Sequence, residues 1–240
     1  MEFNRGAIQP VECFRESWAL VKPRYGLMLG ITLVGVIIGS MGPFGLLLGP
    51  MMCGIFLCYL KVLRGEEIEF NTLFKGFEFF MPGFIVALVQ VIPLMFIQIP
   101  YIGWMMYLTM TNALSAPRGR AANPMDIYTP TFFISMGADI VLVTFVSVIL
   151  QGFFVFGYGL VVDREMNGLD AVKLSARAAM ANIGGILGIV GINILLGLTG
   201  SLLCFVGGIF LIPITMGVWV VAYRKVFPEA SSVSTTFGAR

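Results

Sequence analysis

The side chains able to do chemistry in this chain are few, and several of the usual kinds are missing. There is no histidine, so histidine-based catalytic dyads and histidine-ligated metals are excluded. Cys13, Cys53, Cys58 and Cys204 form no C-x-x-C pair and show no metal-ligand spacing. Three of them lie in apolar runs, where a free thiol behaves as a small hydrophobe. Glu66, Glu67 and Glu69 precede an apolar segment and could hold a metal for a lipid-modifying enzyme, but a solvated loop is the simpler reading. Asp139 is the one acid near the heart of an apolar run. Buried in a membrane it would be a candidate relay. The uncharged stretch after it is long enough to span alone, however, which places Asp139 at the outer surface. Thr144, Ser147 and Gln151 fall at i, i+3 and i+7, on one helix face. They could line a polar path or bond between helices, as could Gln90 and Gln98 around Pro93, and interhelical bonding is the commoner use. Arg164, Lys173 and Arg177 make a basic patch that could hold anionic lipid headgroups, though the ordinary positive-inside bias explains it equally well. No catalytic residue, cofactor site or metal site is assigned.

The elements that must position these groups are set by composition. Mean hydropathy is +0.93, hydrophobic residues are 58% and charged residues 12%, about half the usual charged share. Lipid must therefore be the solvent for much of the surface. A net charge of +2 and the lack of a basic-aromatic patch argue against nucleic acid. The N-terminus does not read as a signal peptide, because Glu2, Arg5, Glu12, Arg15 and Glu16 interrupt it.

Uncharged runs cover Tyr25–Leu60, Phe79–Pro117 and Asn182–Tyr223. The first holds two short spans, roughly Tyr25–Gly39 and Phe44–Leu63, with a turn at 39–43. The second reads as one long span containing Pro93 and Pro100, with two short spans possible by length alone. A polar loop over Thr111–Pro130 leads to a span at Ile140–Val162. The last run gives two spans with a turn near Thr199–Ser201. Amphipathic helices are expected over residues 8–22, 70–81 and from about 167. The first carries Ile8, Val11, Phe14, Trp18 and Val21 on its apolar side and ends near Pro23. The second carries Phe70, Leu73, Phe74, Phe77, Phe80 and Met81. The third carries Leu169, Val172, Ala176, Ala179 and Met180, with Asn167 and Asp170 in capping-box positions. All three are too short to span and should lie in the interface.

The resulting fold class is an all-α polytopic membrane protein. Six transmembrane helices form hairpins, each preceded by a cytoplasmic-side amphipathic helix. Of the 15 lysines and arginines, all but Arg118 and Arg120 then share one side, so both termini are expected in the cytoplasm. A single membrane domain covers 1–227, with repeat units at about 8–64, 70–162 and 167–227, and a disordered tail covers 228–240. Gly45, Pro50, Gly54 and Lys61 repeat the spacing of Gly208, Pro213, Gly217 and Arg224, which indicates a duplicated hairpin. The middle unit lacks the proline. These glycines and prolines could mark broken helices that bind substrate, but close helix packing with a kink is preferred.

Asp163, Ala171, Ser175 and Asn182, followed by Gly208, Pro213, Gly217 and Ala222-Tyr223-Arg224, give the chain a resemblance over most of its length. It resembles the uncharacterised YciC-type membrane proteins of bacteria and archaea, and the similar membrane domain attached to some glycerophosphodiester phosphodiesterases. The resemblance implies six helices in a bacterial plasma membrane and supplies no active-site residue. The expected function is a non-enzymatic membrane protein that binds membrane lipids, a membrane protein partner or a second copy of itself. The alternative is a small-solute transporter or channel with a path between the duplicated hairpins.

Overall fold

The computed structural model describes residues 3–42, 46–114, 128–202 and 206–229, and within them all regular structure is helical. In chain order the helices are α1 (Pro10–Val21), α2 (Tyr25–Met41), α3 (Leu48–Leu63), a 3-10 helix (Phe70–Phe79), α4 (Phe80–Leu114), α5 (Pro130–Arg164), α6 (Gly168–Ala181), α7 (Ile183–Leu202) and α8 (Val206–Val226). Four runs are long and apolar enough to cross a membrane: Pro10–Met41, Phe70–Asn112, Pro130–Arg164 and Gly207–Val226. The bent pair α6–α7 makes a fifth. α3 is apolar but has 16 residues, about 24 Å of rise against a hydrocarbon core of about 30 Å.

Local chemistry accounts for where these elements begin and end, and for several departures from the sequence reading. α4 is one helix through Pro93 and Pro100, so the run from residue 79 does not cross as two short spans. α5 starts ten residues before Ile140. Thr129 Oγ1 accepts from the Phe132 N–H at 3.2 Å and Pro130 occupies the first turn, a favourable pairing of cap and proline. α7 runs on to Leu202, past the expected turn at Thr199–Ser201. Asn167 precedes α6 without a side-chain capping bond, so the expected capping box with Asp170 does not form. The segment at 70–79 is a 3-10 helix whose three-residue period sets Leu73 and Gly76 on one inward edge. Phe70, Phe74 and Phe77 are left exposed.

The most extensive helix pairings join the 3-10 helix to α3, α6 to α5 and α1 to α8. The first two join a short helix to the helix before it in the chain, and the third packs α1 on α8. Serine makes the same contact twice. Ser17 Oγ donates to Ile214 O at 2.7 Å, the residue after Pro213, and Ser175 Oγ donates to Phe153 O at 2.8 Å, the residue after Gly152. In the remaining pair Gly76 stands where Cβ would meet Pro50 O and Gly54.

α6 and α7 meet at 89° around Asn182, which is 3% exposed. Its Nδ2 donates to Ala178 O at 2.9 Å and to Asn4 O at 3.0 Å, and its Oδ1 accepts from the Ala7 N–H at 3.0 Å. One amide thus closes the bend and ties down the N-terminal segment. The Asn4 N–H reaches Val226 O at 2.9 Å, so the first and last described segments meet at one end of the helix bundle. Pro228 and Glu229, expected to start a free tail, are held there. Arg164 Nη2 donates to Pro228 O at 3.0 Å and Arg64 Nε to Glu229 Oε1 at 2.7 Å. Residues 230–240 lie outside the described residues.

Candidate functional site

α8 presents two contrasting sides. Toward α1, α2 and α3 it is closed. Pro213 interrupts the hydrogen-bond ladder of α8, and hydroxyls supply donors around the break. Tyr25 Oη donates to Phe210 O at 2.5 Å, Tyr59 Oη to Pro213 O at 3.0 Å and Ser17 Oγ to Ile214 O. Tyr59 is fully buried, with Thr32 Oγ1 at 2.9 Å from its oxygen. The space beside Gly217 is taken by Ser17 Oγ.

Toward α5 and α7 the same helix borders a cavity of about 250 Å³. Leu196, Leu211, Ile212 and Met216 supply its apolar lining, and Gln151, Asn193, Thr215 and Trp219 its polar groups. None of the lining residues is ionisable. Asn193 Oδ1 is buried and has no hydrogen-bond partner among the described residues. Thr215 Oγ1 gives its proton to Ile212 O at 2.9 Å, so it offers lone pairs. Gly197 and Gly208 complete the lining. A Cβ at Gly208 would meet nothing within 4 Å, and the same holds at Gly197.

The glycines and prolines of the duplicated motif therefore do different things. Gly54 abuts Leu73 O and Gly217 abuts Ser17, whereas Gly208 faces open space. Pro50 lies in the first turn of α3, where its missing N–H has no helical partner to lose, whereas Pro213 is interior to α8. Gly45 lies outside the described residues. Of the stripe Thr144, Ser147 and Gln151, Gln151 lines the cavity and Thr144 is exposed. Asp139 is removed from it and accepts from Gln98 Nε2 at 3.4 Å. Gln90 Nε2 donates to Tyr158 Oη at 3.2 Å.

At the end bearing both termini, Asp163 is the hub of an ion-pair network. Its side chain is 6% exposed and takes Arg64 and Arg224 on Oδ1, the latter at 3.5 Å. Tyr223 Oη donates to its Oδ2 at 2.9 Å. Arg224 also reaches Glu229 at 3.0 Å. Arg164 is engaged separately, with its guanidinium 5.7 Å from the Phe227 ring centre, while Lys173 and Arg177 stand exposed on α6. Among the three glutamates, Glu66 pairs with Lys61 at 3.3 Å and Glu69 caps the 3-10 helix.

Asn193, Thr215 and Trp219 were not singled out by sequence. The available signal was an amide in the otherwise apolar run Ile183–Leu198, one turn from Gly197. Asp163, Ser175, Asn182 and Tyr223-Arg224 were legible as a pattern, and each makes one of the ties just described. No known family model, curated protein or solved structure matches the chain.

Proposed function

We propose that the protein is a non-enzymatic plasma-membrane protein of six crossings, both termini cytoplasmic, that binds membrane lipids at the cytoplasmic leaflet. The carrying observation is the outward face of the three short helices. Val11 and Trp18 on α1, Phe70, Phe74 and Phe77 on the 3-10 helix, and Leu169 and Met180 on α6 are all exposed. Arg15 and Lys22, Lys75, and Lys173 and Arg177 are exposed on the same three segments. Apolar rings beside basic side chains suit the boundary between acyl chains and anionic headgroups. The inward faces are committed to protein: Cys13, Ser17 and Val21 on α1, and Ala171, Ser175 and Ala178 on α6. The resemblance to YciC-type proteins supports the same plan. Native mass spectrometry of the full chain from nanodiscs containing phosphatidylglycerol and phosphatidylcholine tests the reading. Selective retention of phosphatidylglycerol, lost in the double variant Lys173→Ala/Arg177→Ala, is expected. Equal retention of both lipids, or no effect of the variant, would reject it.

A transporter or channel is the second reading, favoured by Gln151 on the cavity. The closed seam at Tyr59, between the duplicated hairpins, argues against a path there. Modification of Gln151→Cys by a membrane-impermeant thiol reagent, in a chain otherwise free of cysteine, would favour the transporter.

A further inference from the structure

We infer that the cavity between α5, α7 and α8 is a binding site for an uncharged lipid carrying a free hydroxyl, of the diacylglycerol class. Three independent features lead there. The first is the wall chemistry. A phosphate or carboxylate entering a cavity with no cation would lose its hydration without a counter-charge, so the ligand must be neutral. The second is polarity of a defined sign. Asn193 Oδ1 is a buried acceptor with no donor among the described residues, and Thr215 has spent its proton on Ile212 O. Both present lone pairs, so an occupant with a hydroxyl can supply the missing donor, which a diacyl phosphatidylcholine cannot, while the N–H groups of Gln151 and Trp219 can meet its oxygens. The third is shape. Gly197 and Gly208 leave room that no protein atom fills, unlike Gly217, whose space is occupied by Ser17.

Size limits what enters. A cavity of about 250 Å³ exceeds the ~150 Å³ engineered cavity that takes benzene, yet holds only about eight water-sized groups. It can take a glycerol hydroxyl and the first methylenes of a chain, the remainder lying between helices. Ile194, Leu198 and Ile209, near the lining positions along α7 and α8, are exposed large apolar residues against which that remainder can lie. The inference is separate from headgroup binding at Lys173 and Arg177, and either can fail without the other.

The test uses the full chain in lipid nanodiscs with two photoreactive lipids, a diacylglycerol and a phosphatidylcholine, each carrying the same diazirine close to the glycerol. The diacylglycerol is expected to label α7 or α8 beside Asn193, and the phosphatidylcholine the exposed faces of α4 and α5. Asn193→Leu removes the acceptor, and Gly208→Leu fills open space without displacing a neighbour. Each should reduce diacylglycerol labelling at that position about tenfold, the scale of one hydrogen bond or a blocked volume. Retained phosphatidylglycerol binding in native mass spectrometry shows that each variant is folded. Equal labelling by the two lipids, undiminished labelling in folded Gly208→Leu, or no diacylglycerol label beside Asn193 would overturn the assignment, the last leaving a cavity that holds water only.

Discussion

On the side of α8 facing α1, α2 and α3, three hydroxyls end on three successive parts of the helix and no space is left beside Gly217. On the side facing α5 and α7, a carbonyl oxygen is left unpaired and Gly208 borders open space. One helix therefore shows what its proline and glycines do in two surroundings. Where a donor was at hand, the irregular stretch was absorbed into close packing. Where none was, the same small residues left a cavity with unmet hydrogen-bonding capacity. A small residue in a membrane helix has no single meaning, and its neighbour decides whether it brings backbones together or keeps a space open.

The sharpest way to break the contrast is at the end that holds the closed side together. Asp163→Ala leaves Arg224 and Arg64 beside each other with their shared carboxylate gone. Both arginines keep Glu229, but the buried Tyr223 hydroxyl loses its acceptor, and the cost is expected to be about 2–3 kcal/mol, read as loss of thermal stability in detergent. Asp139→Ala removes an acid held by a long hydrogen bond from Gln98 and should be nearly silent. Equal effects would mean that the ion-pair network is not what anchors α3, α5 and α8.

A smaller difference separates the two glycines. Gly217→Leu forces Ser17 and Tyr59 aside and should cost about 1–3 kcal/mol, as overpacking does. Gly208→Leu should leave stability unchanged or raise it. If the two were alike, the cavity would be closed in the protein as it exists in lipid. Next in size is Tyr59→Phe, which removes the hydroxyl between Pro213 O and Thr32 Oγ1 and should cost about 0.5–1.5 kcal/mol. Asn193→Leu, which removes an acceptor that has no partner, should be neutral or stabilising in the same melt.

The sequence reading reached the architecture further than the site, for a physical reason. Long uncharged runs, basic ends and prolines act locally, so Pro23 marked the end of α1 and the single long helix Phe80–Leu114 was anticipated. The start of α5 was missed although Thr129-Pro130 is a legible cap, because an apolar-span reading looks for the last charge and not the first cap. The 3-10 helix at 70–79 brings Gly76 against Pro50 and Gly54, a contact no periodicity displays. The cavity is harder still. Gln151, Asn193 and Gly208 belong to three helices, and what unites them is the space that no side chain fills.

The closed side also carries the smallest expected effect, at its exposed rim. Glu229 is held below the usual carboxylate range, chiefly by its bond to Arg64 and then by the charge of Arg224. A carboxyl with a depressed value contributes its tie above the ordinary range and loses it as pH falls through the depressed value. Arg64 is raised, mainly by the same bond, and stays charged throughout. A spin label at Pro228 should therefore be restrained at neutral pH and become free in acid below the ordinary carboxylate range. In Glu229→Gln it should be equally free at both. The pair is solvent-exposed and screened, so global stability should scarcely move. A label equally restrained in wild type and Glu229→Gln would assign the hold to Arg164 and Pro228 O. The ionic network would then end at Arg224, still inside the packed helices.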